Sequence, residues 1–212
     1  MAQRHDRAEA LHKALYLFWE KGFNGTSIKD LEHHLGMHPG SIYAAFGSKA
    51  GLFARALQLY ADQMMSGHYA DCVGETKLHA LAEAVRQSHP IAQHDGPKAA
   101  CFICKSLMET GIDSPEVHAA LNRLADAFED QFTEMFEQAR SAGELATDAD
   151  CRALAQSVQT ALAGISTLVL RPNRQEQARQ MLEQLALDIV ALGQGSPSMG
   201  GFASGLAGQS RA

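Results

Sequence analysis

Residues 22–49 read GFNGTSIKDLEHHLGMHPGSIYAAFGSK, and the punctuation of this stretch decides the fold. Gly22 ends the segment before it, because glycine takes the left-handed conformation of a helix C-cap without strain. Thr26 or Ser27 then caps a short helix whose apolar positions, Ile28, Leu31 and Leu35, face inward. Gly36 stops that helix. Pro39 suits the first turn of the next one, where its missing N–H is not needed, and this helix runs to about Phe46. Ser48 caps a further helix carrying Leu52, Phe53, Ala56, Leu57 and Tyr60. Two short helices around a tight Leu35-Gly36-Met37 turn have the layout of a helix-turn-helix. In that motif the second helix lies in the DNA major groove and offers its N-terminal residues to base edges.

The residue types suit that task. The second short helix starts on His38, Pro39, Gly40 and Ser41, and small residues there allow a close approach to the bases. Ile42 and Phe46, four apart, anchor the helix to a core. Tyr43 points elsewhere and can donate its hydroxyl to a phosphate. Lys49 opens the next helix, where backbone N–H groups and the helix dipole also favour an anion. Thr26 and Ser27 can act likewise from the first short helix.

The order Phe-x-Gly-Thr-Ser-Ile, Leu-Gly, Gly-Ser-Ile-Tyr and Phe-Gly-Ser-Lys-x-x-Leu-Phe resembles the N-terminal domain of TetR-family transcriptional regulators. The match covers about residues 7–57; the rest of the chain is similar only in architecture. The resemblance implies a homodimer on a near-palindromic double-stranded DNA operator. It implies phosphate contacts from Thr26, Ser27, Tyr43 and Lys49, and a base-facing set of His38, Pro39 and Ser41, with Gly40 between them. Repression is the commoner outcome in that family, with activation as the alternative.

Outward from the motif, the chain reads as helix almost throughout, with no strand pattern and no internal repeat. Residues 6–21 put Ala10, Ala14, Leu17 and Phe18 on one stripe. Helices are expected at 77–88, 98–110, from a Ser114 cap through Ala142, at 148–170 and at 174–192. Residues 66–76 are less periodic, and 89–97, with Pro90, Gly96 and Pro97, read as a loop. The expected fold is all-α with about nine helices. A three-helix DNA-binding domain (1–50) precedes a helical ligand-binding and dimerisation domain (51–192), and six glycines among residues 193–212 suggest a disordered tail.

Composition fits this division. Hydrophobic residues make up 46% and charged residues 20%, the balance of a chain that buries a core. The net charge of −6 is unevenly spread. Residues 1–60 hold seven Lys/Arg against five Asp/Glu, and residues 61–212 hold eleven against nineteen, so phosphate attraction is confined to the head. No apolar run spans a bilayer and no signal-peptide pattern opens the chain, so no membrane partner and a cytoplasmic location are expected.

In the body, Leu162, Ile165, Leu168 and Val169 line one helix, and Leu182, Leu185 and Ile189 line the next. Two such helices from each of two copies would make a four-helix dimer bundle, although the same stripes can also pack within one chain. Phe102, Leu107, Met108, Phe128, Phe132, Met135 and Phe136, with Glu109 as the polar group, are candidates to line a pocket for a small apolar or aromatic effector. Cys101 and Cys104 lie one turn apart, near the start of the expected 98–110 helix and beside Lys105. A redox- or electrophile-sensing regulator is therefore an alternative function. His68 with Cys72, and His89 with His94, are too scattered for a zinc site, so no metal and no cofactor are expected. An enzyme finds no support, since phosphate-loop, nucleophile-elbow, dinucleotide and zinc-protease motifs are all missing from the sequence. A helical adaptor leaves the caps and exposed donors of 22–49 unexplained.

Overall fold

The computed structural model describes residues 2–68 and 74–194. Helix α1, Ala2–Lys21, stops where Gly22 takes φ 78° and donates its N–H to the Phe18 carbonyl at 2.7 Å. Helix α2, Ile28–Leu35, opens on a reciprocal cap. The Asp30 N–H donates to Ser27 Oγ at 3.1 Å and the Ser27 N–H donates to Asp30 Oδ2 at 2.9 Å, so two otherwise unpaired donors are satisfied. Lys21 Nζ reaches Asp30 at 2.7 Å, and that bond, with those from Ser27, holds the Asp30 carboxyl well below the usual carboxylate range. Gly36 closes α2 in the left-handed conformation. Helix α3, Pro39–Phe46, starts on its proline, and helix α4, Lys49–His68, starts on Ser48, whose Oγ accepts the Gly51 N–H at 2.8 Å.

The chain then continues as α5 (Lys77–Ser88), α6 (Phe102–Leu107), α7 (Pro115–Ser141), α8 (Cys151–Val169) and α9 (Gln175–Ala191). Short 3-10 turns lie at Pro90–Ala92, Gly96–Ala99 and Leu192–Gln194. The described residues are thus all-helical, with nine α-helices and no strand. No described helix is long and apolar enough to cross a membrane. The expected loop at 89–97 holds two 3-10 turns, each with a proline in its first positions.

The expected 98–110 helix is the main departure. Ala100 is extended at φ −89° and ψ 145°, and only Phe102–Leu107 is α-helical. Phe102 and Ile103 are buried while Leu107 and Met108 are exposed, so burial rewards less than two turns. Beyond them, Glu109 turns to a partner elsewhere in the chain.

Two compact units form. The first combines Met1–Met65 with Cys101–Ala125. Its core is aromatic: Phe18 meets Phe53 edge-on at 4.9 Å between ring centroids, Trp19 meets Tyr60 at 5.1 Å, and Phe102 from α6 meets Phe53 at 5.5 Å. Edge-to-face pairs of this kind add about 0.5–1.5 kcal/mol beyond area burial. Two charged side chains clamp the returning segment onto the end of α1. Lys105 Nζ donates to the carbonyls of Trp19 (2.7 Å) and Glu20 (2.8 Å), where a helix C-terminus leaves acceptors unused. The Glu109 carboxylate accepts the N–H groups of Phe23 (2.9 Å) and Asn24 (2.7 Å), and Asn24 Nδ2 donates to the Thr110 carbonyl.

The second unit combines Ser66–Ala100 with Asp126–Ala212. Here α5 and α8 pack on α9 around Leu81, Val85, Phe136, Val158, Leu185 and Ile189. Arg86 grips Glu183 with two nitrogens, at 2.7 and 2.8 Å, and joins α5 to α9. The Glu144 carboxylate accepts the Lys77 and Leu78 N–H groups and so caps α5. His89 is buried in this unit: Nε2 lies 2.9 Å from Ser166 Oγ and Nδ1 accepts the Ile91 N–H at 3.3 Å.

Burial pulls the His89 pKa down to about 4, so the folded chain holds this ring neutral where the unfolded chain protonates it. Stability from this residue is complete above the unfolded value of about 6.5 and is lost as pH falls toward the folded value. Urea denaturation at pH 7 and pH 5 is expected to differ by about 2 kcal/mol more for the parent than for a His89→Gln variant. Equal pH dependence in the two proteins would refute this account of His89.

Candidate nucleic-acid interface

The α2–turn–α3 segment divides its side chains sharply. Leu31, Leu35, Ile42 and Phe46 are buried and hold the two helices to the first unit. Gly40, Ser41, Tyr43 and Ala44 on α3 stay exposed, and Pro39 is partly exposed. The His38 side chain is 94% exposed and makes no cap hydrogen bond, and its Nδ1 lies 3.8 Å from Glu32 Oε1. Gly40 needs no special backbone, since its φ is not positive and a Cβ there would meet nothing within 4 Å. Packing therefore does not call for a glycine at this point, although glycine costs a helix about 0.5–1 kcal/mol relative to alanine. The face is small, polar and open, and suits close approach to a polar groove.

Around it, Ser27 is exposed at the cap of α2, with its N–H and its hydroxyl both given to Asp30 Oδ2. Tyr43 is 46% exposed. Lys49 is partly exposed, its ammonium 4.3 Å from the Phe23 ring centroid. Burial lowers the Lys49 pKa, and the charges of Glu109 and Asp30 oppose that shift. Thr26 departs from the expectation of a phosphate contact. It is fully buried, and its hydroxyl donates to the Gly22 carbonyl at 2.7 Å. Its side chain braces the α1–α2 connection.

Two cations escaped the sequence reading. Exposed Arg7 and Arg55 place their guanidinium carbons 5.3 and 5.9 Å from the Phe46 ring centroid, at the far end of α3. The basic balance of the head was the only signal that such residues exist, because Arg7 and Arg55 lie far from α3 in sequence.

Of the effector-pocket set, Phe102, Leu107, Met108 and Glu109 belong to the first unit, and Phe128, Phe132, Met135 and Phe136 to the second. Phe102 is in the aromatic core, Leu107 and Met108 are exposed, and Glu109 is the clamp already described. Phe132 and Phe136 are core residues of the second unit, with Met135 packed against them and Phe128 partly exposed. Of the dimer set, Ile165, Val169, Leu182, Leu185 and Ile189 are buried in the chain's own core, and Leu162 and Leu168 pack against it. Gly164, Met181 and Leu187 are exposed on the same two helices.

Cys101 and Cys104 are both partly exposed and lie in the first unit; Cys101 is the residue before α6, which begins at Phe102 instead of near Pro97. Cys151 is buried. Cys72 and residues 195–212, and with them most of the proposed tail, fall outside the described residues. His94 is partly exposed, and no three metal-binding side chains gather among the described residues.

The family model for bacterial regulatory proteins of the tetR family matches residues 10–56, and that for the tetracyclin repressor-like C-terminal domain matches residues 74–185. The chain is 34% identical over 157 residues to the HTH-type transcriptional regulator YezE of Bacillus subtilis, covering 71% of this chain and 79% of that protein. It is 30% identical over 164 residues to the HTH-type transcriptional repressor ComR of Escherichia coli, covering 76% and 78%. Among solved structures, a cysteine-substituted form of the TetR family regulator CifR, complexed with 26-bp operator DNA, superposes with a TM-score of 0.70 at 26% identity, covering 85% of this chain and 94% of that one. A TetR-family regulator from Cytophaga hutchinsonii shares the fold, with a TM-score of 0.76 at 19% identity over 90% and 96% of the two chains. With family models and relatives that together match most of its length, the chain belongs to the TetR family of transcriptional regulators.

Proposed function

We propose that this regulator is a homodimeric repressor that holds a near-palindromic operator and is released by a small apolar or aromatic effector. The observation that carries the reading is the open face of α3, where His38, Gly40, Ser41 and Tyr43 are exposed above buried Ile42 and Phe46. His38, Pro39, Gly40 and Ser41 meet bases. Ser27, Tyr43 and Lys49 hold phosphates, with Arg7 and Arg55 as further cations. Repression is supported by the similarity to the repressor ComR and to the E. coli repressor BdcR, 36% identical over 107 residues. The regulator works where the DNA is, in the cytoplasm.

Dimerisation uses the outer faces of α8 and α9, where Gly164 allows close approach and Met181 and Leu187 offer apolar surface. Two copies then present their α3 helices about 34–36 Å apart, the spacing of successive major grooves. The effector occupies the helical body among residues 51–192 and prefers the form whose α3 spacing misses the grooves; without that preference it shifts nothing.

Selection of bound duplexes from a random library tests this. A palindrome is expected, and absence of any enriched sequence at low salt, with the dimer intact, would overturn it. On the selected operator, Tyr43→Phe is expected to weaken all duplexes alike by about tenfold, the worth of one hydrogen bond to a charged group. His38→Ala is expected to relax preference at one base position in each half-site. Titrations against single-base operator variants read both effects.

A further inference from the structure

Helices α1 and α2 pack together and leave a groove between them that the base-facing surface does not use. It is lined by Leu17 and Lys21 of α1 and by Lys29, Asp30, His33 and His34 of α2, with a volume of about 300 Å³. Leu17 is buried, and the other five side chains are polar. Asp30 is the one carboxylate of the lining, and it is already engaged. Its Oδ1 takes Lys21 Nζ at 2.7 Å, and its Oδ2 takes the Ser27 N–H and hydroxyl. Lys29, His33 and His34 are exposed, and among the described residues their side chains have no hydrogen-bond or ion-pair partner.

We propose that this groove seats a phosphate of the operator backbone, and that His33 and His34 take up protons as the phosphate enters, so that operator affinity rises as pH falls. The operator as the source of the phosphate rests on the DNA-binding reading above.

A phosphate suits these donors. Lys29 brings a fixed charge that no carboxylate of the lining balances, since Asp30 is spent on Lys21 and Ser27. A neutral imidazole has one N–H and one acceptor nitrogen, whereas a protonated one has two N–H donors and a charge. Histidine is the side chain that changes charge in the ordinary pH range, and an anion beside it favours the charged form. The charged groups facing the two rings are few. From α1 there is Lys21, on α2 there are Lys29 and Asp30, and α3 carries no charged side chain. With the one carboxylate occupied, the arriving phosphate is the anion that draws the protons.

The groove lies beside the reading surface. Glu32 Oε1 is 3.8 Å from His38 Nδ1, which puts Glu32 at the start of α3. On α2, Lys29 is one helical turn before Glu32, and His33 is one turn after Lys29, so neighbouring side chains lead from the start of α3 to the groove. A DNA strand that flanks the bases met by α3 reaches Lys29 and His33, with Lys21 and His34 completing the lining. A contact of this kind holds the backbone and reads no sequence.

The test is titration of the full-length protein with the selected operator at pH 8 and pH 6, each across a range of salt. Affinity is expected to rise about tenfold toward pH 6, the worth of one hydrogen bond to a charged group. The double variant His33→Gln/His34→Gln puts a good helix former at two exposed positions and is expected to lose most of that rise. His38→Gln is expected to keep it. Lys29→Gln is expected to weaken all duplexes alike and to reduce the salt slope by about one per protomer. A full pH dependence in the double variant, or an unchanged salt slope in Lys29→Gln, would overturn the proposal. The imidazole NMR signals of His33 and His34 are expected to move when the duplex is added. Movement with inorganic phosphate alone, and none with the duplex, would make this a free-anion site and overturn the operator source. Operator binding that ignores pH counts against the seat alone, whereas failure to bind any duplex at either pH removes the DNA-binding reading and the seat with it.

Discussion

Gly22→Ala is expected to destabilise the N-terminal unit by about 3 kcal/mol, from left-handed strain of about 1–2 kcal/mol and weakened hydrogen bonds to a charged group worth about 1.5–3 kcal/mol. The strain arises because Gly22 sits at φ 78°. The second part arises because a Cβ there would lie 2.8 Å from Glu109 Oε2, and the carboxylate would have to leave the Phe23 and Asn24 N–H groups. Gly36 provides the control. It has φ 66° with nothing within 4 Å of its Cβ position, so Gly36→Ala should cost only the strain. Chemical denaturation of both variants separates the two contributions. A double-mutant cycle sharpens the result: with Glu109→Ala in place first, Gly22→Ala should cost no more than Gly36→Ala. Equal losses for Gly22→Ala and Gly36→Ala in the parent would mean that the carboxylate moves aside freely and that the clamp contributes little.

Gly40→Leu is expected to leave folding intact, or improve it by up to about 1 kcal/mol, while operator affinity drops at least about tenfold. The position has an ordinary φ, and a Cβ added there meets nothing within 4 Å. Its side chain would project from the open start of α3, between His38 and Ser41, and would hold the helix away from the base edges. Thermal unfolding and operator titration of one preparation separate the two effects. Unchanged affinity would place the base-facing surface elsewhere. A loss of stability would mean that Gly40 is required by packing, contrary to its surroundings.

What could be read from the sequence was local. The ends of α2, α3 and α4 follow from Ser27, Gly36, Pro39 and Ser48, each of which acts on backbone groups within four residues, so a linear reading contains the whole interaction. The apolar spacing of Ile42 and Phe46 likewise told which face of α3 is buried and, by exclusion, which residues stay open. Thr26 shows the limit of that reading. Beside Ser27 it looks like an equivalent surface donor, but it is buried, with its hydroxyl on the Gly22 carbonyl.

Contacts between distant residues were settled only by the tertiary structure. Glu109 meets Phe23 and Asn24 across 86 and 85 residues, and nothing about a glutamate after Met108 names those partners. The same contacts, with the aromatic seat of Phe102, explain why residues 101–125 join the first unit and why α6 is shorter than its apolar run suggested. On α8 and α9 the apolar stripes were legible, but not their destination. Ile165, Val169, Leu182, Leu185 and Ile189 turn into the chain's own core, leaving Gly164, Met181 and Leu187 outside. Hydrophobic burial is non-directional, so a stripe specifies that a face will be covered and leaves the choice of cover to the packing of the whole chain.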